Sequence, residues 1–139
     1  MIRIQTFKYF GRSYSDSSLE WWFCPVDGKV YDTDEMKETF GFSDETEIEA
    51  SDSFIKLFKT DIPALKRRFL ESYPDPRLPQ RIRAVCDAKN VDFDVAFNIC
   101  AETEFLHDWN VFEEQRLEQD AVSWCRANGL PYTLDKENE

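Results

Sequence analysis

Apolar positions divide this chain into a front part of short alternations and a rear part with helical spacing. Residues 2–10, IRIQTFKYF, alternate without a breaker and predict a strand. Residues 11–18, GRSYSDSS, have loop composition. EWWFCP over 20–25 predicts a second strand, Val26-Asp27-Gly28-Lys29 supplies an Asp-Gly turn, and KVYD over 29–32 returns as its hairpin partner. Asp32 with Glu35 three residues on is a capping-box signature, so a short helix is expected over 33–40, closed by Gly41. The acidic stretch 43–53, SDETEIEASDS, reads as a solvated loop or edge, and FIKLF over 54–58 as a short apolar strand.

From Thr60 the period changes. Thr60 or Asp61 can cap a helix that takes Pro63 in its first turn, buries Leu65, Phe69 and Leu70, and stops at Tyr73-Pro74. A second helix opens at Asp75 or Leu78, turns Ile82, Val85 and Cys86 inward, and ends at Asn90. Asp92 caps a third, with Phe93, Ala96, Phe97 and Cys100 on one face. Asp108 caps the longest, over 109–128, with Trp109, Phe112, Ala121, Trp124 and Cys125 inward and Gly129 and Pro131 beyond its end. Strands precede helices, so the expected class is α+β: an N-terminal antiparallel sheet of three to four strands followed by a C-terminal cluster of about four helices. At 139 residues, with 4 Gly, 6 Pro and 42% apolar residues, the chain suits one folded domain over 1–134 and a frayed acidic tail over 135–139.

Charge changes the picture more than composition does. The formal net charge is −11, from 17 basic and 28 acidic residues. Residues 21–55 hold two lysines against ten acids, residues 56–89 nine basic residues against four acids, and residues 90–139 three against twelve. A basic centre lies between two acidic arms. Either the signs neutralise each other locally, or they form separate faces, the acidic one steering a basic partner. Such a chain repels a polyanion, so duplex DNA is not an expected partner. No run of 18 apolar residues marks a membrane span, and the N-terminus has no signal-peptide pattern, so neither is expected.

Candidate chemistry is sparse. Cys24, Cys86, Cys100 and Cys125 show no CxxC spacing and read as reduced thiols of a cytoplasmic protein. With His107 alone, no metal site and no cofactor are expected. A Cys–His enzyme would need His107 as base, oriented by Glu104 or Asp108, with Cys100 or Cys125 as nucleophile; the spacing instead turns both thiols toward the core. Carboxylate pairs such as Glu102 and Glu104, Glu113 and Glu114, or Asp92 and Asp94 are too numerous to single out a hydrolase site. Lys66, Arg67, Arg77 and Arg81 form the candidate anion site, because arginine forks suit phosphate and carboxylate. In a strand, Trp21 and Phe23 point one way and Trp22 the other. If one sheet face is bare, these rings, joined by Phe7 and Tyr9, make a partner-binding patch.

Three further segments carry a family likeness: Trp22 to Tyr31 around the Asp-Gly turn, FIKLF with the helix to Tyr73 and Asp75-Pro-Arg-Leu78, and the terminal pattern Trp109-x-x-Phe112, Ala121-x-x-Trp124, Asn128-Gly129-Leu130. Across 22–132, with gaps, the chain resembles a family of small acidic bacterial proteins, a domain of unknown function. Where that family carries a Gly-rich basic aromatic stretch, this chain has the acidic Val91-Asp92-Phe93-Asp94-Val95-Ala96-Phe97. The resemblance implies a cytoplasmic α+β protein and no catalytic residue. The leading expectation is a non-enzymatic, acidic interaction protein (inhibitor, immunity-like or regulatory) that binds a basic protein. The alternatives are nucleic-acid or nucleotide binding through 59–89, and a Cys–His or carboxylate hydrolase.

Overall fold

The computed structural model describes residues 1–134; the tail expected to fray lies outside them. In chain order the elements are β1 (Ile2–Arg3), α1 (Ile4–Phe7), α2 (Tyr9–Ser15), β2 (Trp21–Cys24), β3 (Lys29–Asp32), α3 (Thr33–Phe40), α4 (Glu45–Ala50) and β4 (Ile55–Lys56). There follow α5 (Ile62–Ser72), α6 (Arg77–Lys89), α7 (Phe93–Cys100), a π-helical turn (Ala101–Phe105), α8 (Leu106–Ala127) and β5 (Tyr132–Thr133). The class is mixed α/β, with small sheets and predominant helix. Two compact units emerge, one from Met1–Thr60 with the chain from Leu117 onward, the other from Asp61–Arg116.

In the mixed unit, β3, β2 and β4 form a three-stranded antiparallel sheet. The expected hairpin is present, with Trp22 opposite Tyr31 and Cys24 opposite Lys29. Its loop has four residues, 25–28, and Asp27 Oδ1 accepts from the Lys29 N–H at 2.8 Å. β1 and β5 pair in parallel as a separate ribbon. α3 begins at the expected capping box: Asp32 accepts from the Glu35 N–H at 2.8 Å and Glu35 from the Asp32 N–H at 3.1 Å. It ends on Gly41 at φ 76°, a left-handed conformation that favours glycine.

Four expectations for this unit are corrected. Residues 2–10 are mostly helix, not strand. Within α1 and α2, Ile4, Phe7, Gly11 and Tyr14 are the buried positions, and their spacing of three and four is helical. Residues 11–15 continue that helix instead of forming a loop, because Gly11 is there to admit Phe58 and Thr60 closely. Within 43–53, α4 forms around one buried anchor, Ile48, capped by the Asp44 carboxylate at the Glu47 N–H, 2.9 Å. FIKLF contributes only Ile55–Lys56 to the sheet.

The sheet is covered on both faces. Phe23 packs with Ile4, Phe7, Tyr14, Phe58, Ala121 and Trp124. Trp22, from the opposite face, packs with Met36 of α3 and Ile48 of α4.

The helical unit matches its expected caps closely. Asp61 accepts from the Ala64 N–H at 3.1 Å, with Pro63 in the first turn. Asn90 takes the left-handed C-cap of α6 at φ 51°. Asp92 caps α7 through the Val95 N–H at 3.1 Å. Its core gathers Leu65, Phe69, Leu78, Ile82, Phe97 and Trp109. Two starts move: α6 begins at Arg77 with Pro76 at its N-cap rather than at Asp75 or Leu78, and α8 starts at Leu106, so Asp108 lies in its first turn and the π-helical turn carries the chain from α7 into it without a break.

Candidate functional site

The proposed aromatic patch does not form a surface. Trp22 is 2% exposed, Phe23 4% and Phe7 8%; all three are core. Trp21 is half-buried, its ring stacked on Tyr14 at 6.0 Å and its Nε1–H donating to Ser17 Oγ at 3.1 Å. Tyr9 is half-buried in α2 rather than on a neighbouring strand, with Lys8 and Arg12 each 5.3 Å from its ring centroid. The strand alternation of these rings is as expected; the bare sheet face is not, since helices cover both sides.

Partly exposed rings lie elsewhere in the same unit. Tyr31 of β3 meets Phe40 edge-on at 5.3 Å, Phe40 meets Phe54 at 5.0 Å, and Phe54 meets Phe42 at 5.6 Å. Phe40 is 42% exposed and the other three are half-buried. This chain of rings roofs the small core of Trp22, Met36 and Ile48. The segment that supplies Phe40 and Phe42, residues 34–52, exposes Asp34, Glu35, Glu38, Asp44, Glu45, Glu47, Glu49 and Asp52 against a single cation, Lys37.

Those carboxylates divide by duty. Glu35, Asp44 and Glu47 bind backbone N–H groups at the starts of α3 and α4. Asp34, Glu38, Glu45, Glu49 and Asp52 have no hydrogen bond or ion pair with any described residue. At the edge of the face, the Tyr31 hydroxyl donates to Asp27 Oδ2 at 2.5 Å. That bond pushes the phenol up to about 12 and holds the Asp27 carboxyl below its usual range. The charge here is legible in the sequence but the ring chain is not, because Tyr31, Phe40, Phe42 and Phe54 come from separate elements and meet only in the fold.

The four basic candidates are distributed differently from a shared cradle. Lys66 is buried, with Nζ 3.6 Å from Asp94 and 5.4 Å from the Phe97 ring centroid, so it closes the helical core. Arg77 forks onto Asp75 at 2.8–3.2 Å, which raises the guanidinium and lowers the carboxyl. Arg67 and Arg81 are exposed on α5 and α6. Arg81 lies near enough to Cys100 to favour its thiolate, but burial outweighs it and pushes that thiol up. Burial does the same to Cys125. Both environments oppose a nucleophilic cysteine. The Glu104 side chain lies outside the described ones.

The mixed unit also has an apolar cleft of about 530 Å³, lined by Ile2, Phe7, Phe10, Phe23, Leu130 and Pro131, with Arg3 and Thr6 among its polar groups. Among the described residues, no group of three or more His, Cys, Asp or Glu is arranged to hold a metal, and no helix is long and apolar enough to cross a membrane. No family model matches the chain, and no curated protein or solved structure is significantly similar to it.

Proposed function

We propose that this protein acts by presenting the acidic, ring-bearing face of α3 and α4 to a basic protein partner, as an inhibitor, immunity-type or regulatory factor. One observation carries the reading: residues 34–52 expose eight carboxylates against one lysine, and the same segment supplies Phe40 and Phe42 to a chain of four partly exposed aromatic rings. Five of those carboxylates serve no described contact within the fold. Like charges so placed raise the cost of folding and lower the cost of meeting a cation. The rings supply the apolar area that gives a charged encounter its lifetime. A cytoplasmic location, an α+β classification and kinship with the small acidic bacterial family belong to the same proposal.

The test is capture of partners from lysate by the parent protein and by a Glu38→Lys/Glu45→Lys/Glu49→Lys variant, at low and high salt. The expected result is a basic protein retained at low salt, released at high salt, and lost with the variant. A partner bound equally by the variant would remove this face from the reading. Absence of any salt-sensitive protein partner would overturn the reading itself.

A further inference from the structure

The helical unit contains a cleft of about 320 Å³ that the acidic face does not use. It opens between the C-terminal part of α5 and the first turns of α8, next to the π-helical turn. Phe69 lies at its base, buried, with the half-buried rings of Tyr73 at 5.0 Å and Phe112 at 5.3 Å. Asp108 and His107 stand exposed at its rim. The Tyr73 hydroxyl donates to Asp108 Oδ2 at 2.6 Å, while Oδ1 accepts from no described residue.

The groups facing this cleft favour one kind of ligand. An anion would meet the Asp108 charge. A purely apolar ligand would strip water from that carboxylate without replacing it. An organic cation satisfies both halves, because ring faces carry negative potential and the carboxylate pairs with the charge. The Tyr73 phenol supports this, since its bond to Asp108, its partial burial and the charges of Asp108 and Asp75 push it up to about 12, leaving it neutral beside two carboxylates.

We propose that this cleft binds an alkylammonium group, seated against Tyr73 and Phe112 and paired with Asp108. The site lies in the other unit from the acidic face and stands or falls independently of it. Its volume falls in the range of small-ligand sites, roughly 300–1,000 Å³. The ammonium has two possible sources, a quaternary amine on a small molecule or a lysine on a polypeptide.

The test is NMR titration of the full ¹⁵N-labelled chain at constant chloride with three probes: choline, Nα-acetyl-lysine amide, and 3,3-dimethyl-1-butanol, the uncharged analogue of choline. At least one ammonium probe is expected to give saturable shifts at the amides of Tyr73, His107, Asp108 and Phe112, and the alcohol none. Tighter choline binding assigns the site to a small quaternary amine, and tighter lysine binding to a polypeptide. Asp108→Asn and, separately, Phe112→Leu should each weaken the bound probe roughly fivefold. The proposal is overturned if neither ammonium saturates, if the alcohol binds as well as the ammonium probe that saturates, or if folded Asp108→Asn binds unchanged.

Discussion

Replacing Gly11 with alanine sets two effects of known size against each other. Gly11 is buried in α2, where alanine is favoured over glycine by about 1 kcal/mol of helix propensity. A Cβ added there would sit 2.6 Å from Phe58 Cε2 and 2.7 Å from Thr60 Oγ1. Comfortable contact is about 3.5–4.0 Å, so both neighbours would have to retreat by roughly 1 Å. Neither can do so freely. Phe58 is wedged against the rings of Phe7 and Trp124, at 5.8 and 5.7 Å. Thr60 is buried, donates its hydroxyl to Asp120 at 2.9 Å, and donates its N–H to the Gly11 carbonyl at 3.2 Å.

Overpacking of this kind costs about 1–3 kcal/mol, so the expected net effect of Gly11→Ala is a loss of about 1 kcal/mol. For a chain of this length that lowers Tm by roughly 3–5 °C. Urea unfolding followed by tryptophan fluorescence reads it directly. Because Phe58 is the principal obstacle, Phe58→Leu combined with Gly11→Ala should cost less than the two changes summed. A Gly11→Ala protein about 1 kcal/mol more stable than its parent would refute the packing argument, leaving helix propensity in sole control.

Trp22→Ala empties the small core beneath the acidic face and should cost about 3–5 kcal/mol in the same unfolding assay. Asp32→Ala removes the side-chain half of the capping box and should cost about 1 kcal/mol, with loss of helix signal by circular dichroism. In ultraviolet titration, Tyr31 and Tyr73 should ionise near pH 12, above the roughly 10 of free tyrosine. Their raised phenols add stability that is whole below pH ~10 and lost as pH climbs through 12, and Asp27→Ala should return Tyr31 toward the ordinary value. A disulfide thiol reagent should modify half-buried Cys86 before Cys100 and Cys125, whose thiols are buried and pushed up.

What was legible in the sequence were features written in neighbouring residues. Asp32 with Glu35, Asp61 and Asp92 announce helix starts through side chains that bind the backbone a few residues away, and Asn90 announces a helix end by taking the left-handed conformation. The hairpin was legible for the same reason. Long-range demands were not. Ile4, Phe7, Gly11 and Tyr14 keep helical spacing, yet Ile2 and Ile4 also alternate, and only the packing against Phe58 and Trp124 decides between the two. α4 has one apolar anchor, Ile48, which is too few to show a period. The candidate patch rested on two premises, a bare sheet face and a strand carrying Phe7 and Tyr9; α3 and α4 cover the face with Met36 and Ile48, the latter from the segment expected to be a solvated loop or edge, and Phe7 and Tyr9 are helical.

That cover gives the acidic segment two roles that would ordinarily conflict. Asp32, Glu35, Asp44 and Glu47 are where a helix wants carboxylates, at N-termini whose N–H groups they bind. These acids make α3 and α4 cheap to form and thereby shield Trp22. Asp34 and Glu45 share those first turns without binding an N–H group; Glu38, Glu49 and Asp52 do neither, and removing any one of the three should leave stability within about 0.5 kcal/mol or improve it. Folding therefore gives a reason for five of the eight exposed carboxylates over 34–52 and none for the other three. If Glu38, Glu49 and Asp52 exist for a partner, reversing them should abolish capture while unfolding stays unchanged. If they serve only solubility, capture should survive the same changes, and the exposed edge of Phe40 would need another explanation.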